Sequence, residues 1–216
     1  MKKRYMLGLG SYLVVMVFIS VMTIFQSCDS KEPEVTGNPL DRHLLAKVAA
    51  QDYWEKYIKV LKFPGDDKDF ISKELLTVDV IATAIMEEHL FGIPAKVTLS
   101  QYILESKSNG KYSFTELATT NNNYFGVKAK DNEEYKIHAT REVLNSRDTI
   151  VDAKFAVYKS KWWSIRAHTK KLFKYYQPKE KSLEGWLNRL QGKYATDPNY
   201  AFTLKRVINT YNLNHL

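Results

Sequence analysis

Ile150-Val-Asp-Ala-Lys-Phe-Ala-Val-Tyr158 is the stretch that decides the fold class. Ile150, Ala153, Phe155 and Val157 fall against Asp152, Lys154 and Ala156, with a slip near Val151. This period of about two is the mark of a half-buried strand. Upstream, Tyr124–Ala129 and Tyr135–Thr140 are further short strand candidates, and Asn145-Ser146-Arg147-Asp148 is a turn between the last two. On either side the spacing is helical. Asp41 can cap a helix running to about Lys62, in which Leu44, Leu45, Val48, Tyr53, Tyr57 and Leu61 recur at roughly helical spacing. Pro64-Gly65-Asp66-Asp67 breaks it. Helices over about Thr77–Leu90 and Ala95–Ser106 follow, separated by Gly92-Ile93-Pro94, and Ser113–Thr119 can form a short turn of helix. Beyond the strands, helices are predicted over Ser160–Tyr175, Ser182–Leu190 and Pro198–Tyr211. A helical body with one small β-insertion is an α+β fold.

The N-terminus is a different kind of sequence. Lys2, Lys3 and Arg4 precede an apolar run from Tyr5 to Phe25, and no acid occurs before Asp29. That is a secretory signal pattern, and the run is also long enough to span a bilayer. Cys28 is the single cysteine of the 216 residues, so it has no internal disulfide partner. In Phe25-Gln26-Ser27-Cys28 it stands where bacterial lipoprotein signals place the cysteine that is acylated. Ser27 fits that box, whereas Phe25 and Gln26 depart from it. The expected organisation is a signal peptide at 1–27, a lipidated linker at 28–40, an N-terminal helical extension at 41–76 and a catalytic domain at 77–216. An uncleaved transmembrane anchor is the alternative. Both put the domain outside the cytoplasm on a membrane tether, at the periplasmic or surface face of the envelope.

A hydrophobic content of 44% is ample for a core. The net charge is +8, and losing the three bases of the signal leaves +5. This balance suits an anionic polymer such as cell wall. Nucleic acid is not expected as a partner, because the location is exported and no block of five basic residues occurs. No cofactor and no metal are expected. The histidines, His43, His89, His138, His168 and His215, lack ligand spacing. Glu87-Glu88-His89 reads as a solvated helix face. No phosphate loop or nucleophile elbow is present.

Carboxylates remain as candidates. Glu105 closes an apolar helix, Leu99-Ser-Gln-Tyr-Ile-Leu-Glu105-Ser106. A glutamate there can sit partly desolvated at a cleft edge, protonated as a general acid must be, or can simply be an exposed helix end. Asn121-Asn-Asn-Tyr-Phe-Gly-Val-Lys-Ala129 offers amides for hydroxyl and acetamide groups and flat aromatic faces, or a polar turn entering a strand. Tyr194-Ala-Thr-Asp-Pro-Asn-Tyr200 is a helix start. Pro198 suits the first turn, Asp197 can cap, and two tyrosines flank it.

Taken in order, these segments, with Ala139-Thr-Arg-Glu142 and Ala153–Ser160 between them, resemble the N-acetylglucosaminidase family of autolysins and flagellar rod-cap hydrolases (glycoside hydrolase family 73). The resemblance runs from about Val78 to Leu213. It implies a lysozyme-like fold, mostly a helical lobe with a small antiparallel β-lobe, around a groove for peptidoglycan glycan strands. It implies cleavage of the β-1,4 bond after N-acetylglucosamine. It puts the general acid on Glu105 and the second carboxylate on Glu142, the groove motif on Asn123, Tyr124 and Phe125, and the late tyrosines on Tyr194 and Tyr200. Two departures stand out. Lys107-Ser108-Asn109-Gly110 replaces the glycine-tryptophan-glycine that follows the family's glutamate-serine, and Val143 replaces a tyrosine. A catalytically weak or inactive wall-binding scaffold on the same fold, and a muramidase or lytic transglycosylase, are the alternative readings.

Overall fold

The computed structural model describes residues 37–62, 66–108, 112–144 and 147–216. The signal, Cys28 and most of the linker lie outside the described residues. Helix α1 (Pro39–Tyr53) starts two residues before Asp41. Asn38 is the cap, its Oδ1 accepting from Leu40 N at 3.0 Å, and Pro39 takes the first position, where its missing N–H costs nothing. The helix is also shorter than expected. At Trp54–Ile58 it widens into a π-turn, with Lys59 N reaching Trp54 O at 2.9 Å.

The leucines that carried the helical spacing of α1 point outward. Leu44, Leu45 and Val48 are exposed, and the buried face is Ala46, Ala50 and Tyr53. Two alanines one turn apart let α1 lie close against α3 (Val78–Phe91), and Tyr53 ties the helix to the far end of the chain by donating to Tyr211 O at 2.8 Å. The segment 41–76 therefore shares one core with the rest. A short helix, α2 (Asp66–Asp69), runs on into a π-helical turn that buries Phe70, Ile71 and Leu75.

Thr77 caps α3 through Val80 N, and Gly92 closes it at φ 66, a left-handed angle that suits glycine. Helix α4 (Ala95–Ser106) follows with the bounds expected for it. In the Glu87–His89 segment Glu88 and His89 are exposed, as a solvated face would be, and Glu87 is the correction. Glu87 is fully buried and its Oε1 accepts from Arg166 Nε at 2.6 Å. Glu88 Oε2 accepts from Ala95 N at 2.9 Å and so joins α3 to α4.

Thr115 caps α5 (Glu116–Asn121). Tyr124–Ala129 is not a strand. Gly126 turns the backbone at φ 59, and only Lys128 bridges to Phe155. Strands β1 (Tyr135–Leu144) and β2 (Arg147–Ala156) form a two-stranded antiparallel sheet, from Tyr135 opposite Ala156 to Leu144 opposite Arg147. Helices α6 (Lys161–Tyr175), α7 (Leu183–Leu190) and α8 (Tyr200–Thr210) complete the body, α7 capped by Ser182. The last helix begins two residues later than expected. Asp197 instead closes the turn before it, accepting from Asn199 N at 2.8 Å. The architecture is α+β, a helical lobe with a small antiparallel β-lobe. Its core holds α4 against α8 and α3, with Tyr102, Phe125 and Trp186 fully buried.

Candidate active site

A polar seam runs through this apolar core. Gln101, Glu105, Ser106, Asn121, Asn123, Ser164 and His168 are all buried. Buried polar groups are costly unless partnered, so their hydrogen bonds reveal what the seam holds. At its centre Glu105, 4% exposed, accepts from the Tyr200 hydroxyl at 2.8 Å on Oε1. Tyr200 accepts in turn from Gln101 Nε2 at 3.0 Å, and Gln101 Oε1 lies 3.1 Å from His168 Nε2. This order fixes the protons. Tyr200 donates to the carboxyl, so it must accept from the amide. The amide oxygen then faces His168, which donates from Nε2. Burial, with the Lys171 charge adding to it, drives His168 well below its ordinary range, so the ring is neutral.

The Glu105 carboxyl is pushed up to about 7 from an ordinary 4.5. Burial is the cause, and the Tyr200 hydrogen bond and the Lys171 charge pull the other way. Tyr200 occupies Oε1, while Oε2 is buried with no hydrogen-bond partner. The proton of the neutral acid thus belongs on Oε2. Helix geometry explains the pairing of Gln101 with Glu105, since residues four apart share a face.

Tyr194 and Tyr200 stand together beside Glu105, with ring centroids 5.8 Å apart and planes 25° from parallel. Both rings are buried, so they pack on each other and present no open face. Tyr194 also meets the edge of His168, and the Lys171 ammonium lies 5.5 Å over its ring. Burial lowers the Lys171 ammonium, opposed by the Glu105 charge.

The Asn123 segment is brought to the same seam, in a different role from the one its chemistry suggests. Asn123 Nδ2 donates to Val127 O at 2.8 Å and Ala156 O at 2.9 Å, and its Oδ1 accepts from Val127 N at 2.9 Å. These bonds clasp the turn to the end of β2. Both of its donors are spent inside the chain. Phe125 is fully buried, stacked on His168 at 3.8 Å, and Tyr124 stacks on Tyr102, one helical turn before Glu105. Asn123, Tyr124 and Phe125 therefore build the floor behind the acid. Glu142 lies on β1 opposite Thr149. Its side chain is outside the described residues.

A cleft of about 420 Å³ lies between α5 and the sheet, lined by Thr115, Leu117, His138, Thr140 and Phe155 among others. Thr115 N donates to Ser106 O at 2.7 Å, so one rim of this cleft is fastened to the residue after Glu105. Its size is that of a small-ligand pocket. Among the described residues no three histidine, cysteine or acidic side chains gather as a metal site would need. Sequence reasoning missed Gln101 and His168. The one local signal was a glutamine four residues before Glu105, on the same face of α4.

A family model described as mannosyl-glycoprotein endo-beta-N-acetylglucosaminidase matches residues 81–213, from within α3 to the chain's last turn. The chain belongs to this glucosaminidase family. Among curated glucosaminidase relatives, the exo-glucosaminidase LytG of Bacillus subtilis is 30% identical over 141 residues, 60% of this chain and 48% of that one. A probable N-acetylmuramidase of Lactococcus lactis subsp. cremoris is 28% identical over 154 residues, 66% of this chain and 34% of that one. The chain thus spans a third to a half of the length of these relatives. In fold it is similar to the catalytic domain of the autolysin Auto from Listeria monocytogenes, with TM-score 0.58 and 24% identity over 85% of this chain and all of that one. It is also similar to a structure of N-acetylmuramoyl-L-alanine amidase from Staphylococcus aureus, with TM-score 0.53 and 26% identity over 70% of this chain and 43% of that one. The helical lobe with its small β-lobe is the lysozyme-like glucosaminidase fold.

Proposed function

We propose that this chain is a glycoside hydrolase that cuts the β-1,4 bond after N-acetylglucosamine in peptidoglycan glycan strands, with Glu105 as general acid. The observation that carries this reading is the state of Glu105. It is buried and titrates near 7, with one oxygen oriented by Tyr200 and the other unpaired. A general acid needs that combination: protonated at working pH, yet able to leave as a carboxylate. Tyr200 remains bonded to Oε1 as Oε2 releases its proton, so the developing charge meets a donor already in place. Glu142, on the β-lobe, is the second carboxylate, activating water or stabilising the sugar cation. Tyr194 and Tyr200 border the acid, and Asn123, Tyr124 and Phe125 fix the floor against which the glycan lies.

The family match supports glycan cleavage. One relative is named for muramidase activity and another for glucosaminidase activity, so the bond cut has two candidates. The test is mass spectrometry of peptidoglycan digested by the parent chain and by Glu105→Gln. The reading expects N-acetylglucosamine at the new reducing ends and a loss of at least about a hundredfold in the variant. Reducing-end muramic acid would assign the other bond, and parent-like turnover in the variant would remove Glu105 from the mechanism.

The basic start, apolar run and Cys28 support an exported protein held at the membrane of the cell envelope by an acylated Cys28. No described helix is long and apolar enough to cross a membrane. Cys28→Ala should leave an uncleaved precursor or a detached protein, read by mass and membrane fractionation. A mature chain that keeps Met1 and carries no lipid would replace the lipid with a transmembrane anchor.

A further inference from the structure

Helix α1 carries an apolar stripe that the fold leaves uncovered. Leu40, Leu44, Leu45 and Val48 are each 60–71% exposed. At about 100° per residue they fall in one sector of the helix, across from Ala46, Ala50 and Tyr53, which bury the other side against the core. The four present roughly 400–500 Å² together, in the range of the largest patch on an ordinary monomer and often functional at that size. The stripe belongs to the side of α1 turned away from α3, and α3 packs in turn on α4. It is thus separate from the Glu105 site.

We propose that this stripe rests on the surface of the bilayer that holds the N-terminus, so that α1 lies along the membrane as an interfacial helix. The inference rests on the tether, not on the chemistry of Glu105. Residues 29–38 alone separate Cys28 from the start of α1. Ten residues of chain span at most about 35 Å, and a flexible chain of that length averages roughly 17–18 Å. The tether therefore keeps the start of α1 within about three helix diameters of the lipid even at full stretch. Docking becomes an intramolecular step with a high effective concentration, and even a short stripe suffices. Beside the stripe Lys47 is paired with Asp79 and Arg42 donates to Gly37 O at 3.0 Å, so the docking rests on the four apolar side chains. Asp52, near its far end, is bridged to Lys56 at 2.8 Å, which offsets its charge. A second copy of the chain fits less well, because a stable dimer buries about 800 Å² on each partner, nearly twice what the stripe offers.

The test uses the full chain in vesicles of equal parts phosphatidylethanolamine and phosphatidylglycerol. Leu44→benzoylphenylalanine, and separately Phe202→benzoylphenylalanine on α8, introduce a photo-crosslinker at positions that are both exposed, so neither disturbs the core. After irradiation, mass spectrometry should find lipid adducts on the α1 peptide several-fold above those on α8. Equal yields at the two positions from vesicle-bound chain would overturn the docking while leaving the tether standing. Adducts joining two chains through position 44 would overturn it in favour of a dimer. A chain that floats free of the vesicles would overturn the tether and the docking together, with the glycosidase assignment untouched.

Discussion

Replacing Glu105 with glutamine removes a charge and keeps a shape, and the consequence for stability depends on pH. The carboxyl titrates at about 7 in the folded chain and at about 4.5 when free of it. The folded value is the higher one, so between the two the native state holds a proton that the unfolded state has released, and stability falls as pH rises. Below about pH 4.5 both states are protonated and the group costs nothing. Above about pH 7 both are ionised and the folded state carries a buried carboxylate. A difference of about 2.5 pH units at 1.36 kcal/mol each is about 3 kcal/mol, accrued across that window. Glu105→Gln has no such loss. Its amide oxygen can still accept from Tyr200, although the new N–H at the Oε2 position adds a pH-independent cost of about 1–3 kcal/mol. The measurement is urea unfolding of both proteins at about pH 4 and about pH 8, each read as the stability difference between variant and parent. That difference should move by about 3 kcal/mol in the variant's favour at the higher pH. A difference that stays constant to within about 0.5 kcal/mol would refute the elevated carboxyl and the general-acid argument built on it.

Three further outcomes follow from the same geometry. Tyr200→Phe removes a donor that lowers Glu105, so the alkaline limb of the pH–rate profile should move upward, with about 1–3 kcal/mol lost because Gln101 keeps an unpaired N–H; a limb that moves down would contradict the hydrogen-bond order. Asn123→Ala opens the clasp on Val127 and Ala156 and should cost about 2–4 kcal/mol in urea unfolding, whereas an unchanged midpoint would show that the clasp carries no load. Glu142→Gln should lower the rate on purified peptidoglycan by at least about tenfold with unfolding unaltered, and a parent-like rate would leave Glu105 to work with the substrate's own acetamide.

Much of the fold was readable because its punctuation is local. Pro94 before α4, Gly92 after α3 and the serine and threonine caps each act on the nearest few amides, so those helix bounds emerge from sequence alone. The alternation of 150–158 gave the sheet, although β1 runs four residues further than its pattern suggested. The first helix misled because spacing reports that a face is apolar and does not report what covers it. Here Ala46 and Ala50 won the core, since small side chains allow the closer approach to α3. At the site, Glu105 and the late tyrosines came from the order of motifs. The chain from Tyr200 through Gln101 to His168 did not, because it joins residues 67 and 99 positions apart that share no local pattern. The asparagines were read for their donors, and only the fold shows those of Asn123 ending on the carbonyls of Val127 and Ala156.

The clasp at Asn123 also makes the sheet a lever. It fastens one end of the hairpin, Ala156 of β2, to the turn at Val127, beside the pair Tyr135–Ala156. From there each strand extends ten residues, about 33 Å, to the pair Leu144–Arg147. Glu142 stands seven residues out from Tyr135, at about 23 Å. A rotation of about 10° at the grip carries it about 4 Å, the scale that separates the spacing of a retaining pair of carboxylates from that of an inverting pair. For the proposed pair of Glu105 and Glu142, the stereochemical course would thereby be tied to the angle at which one buried asparagine holds the end of β2 against the turn at Val127.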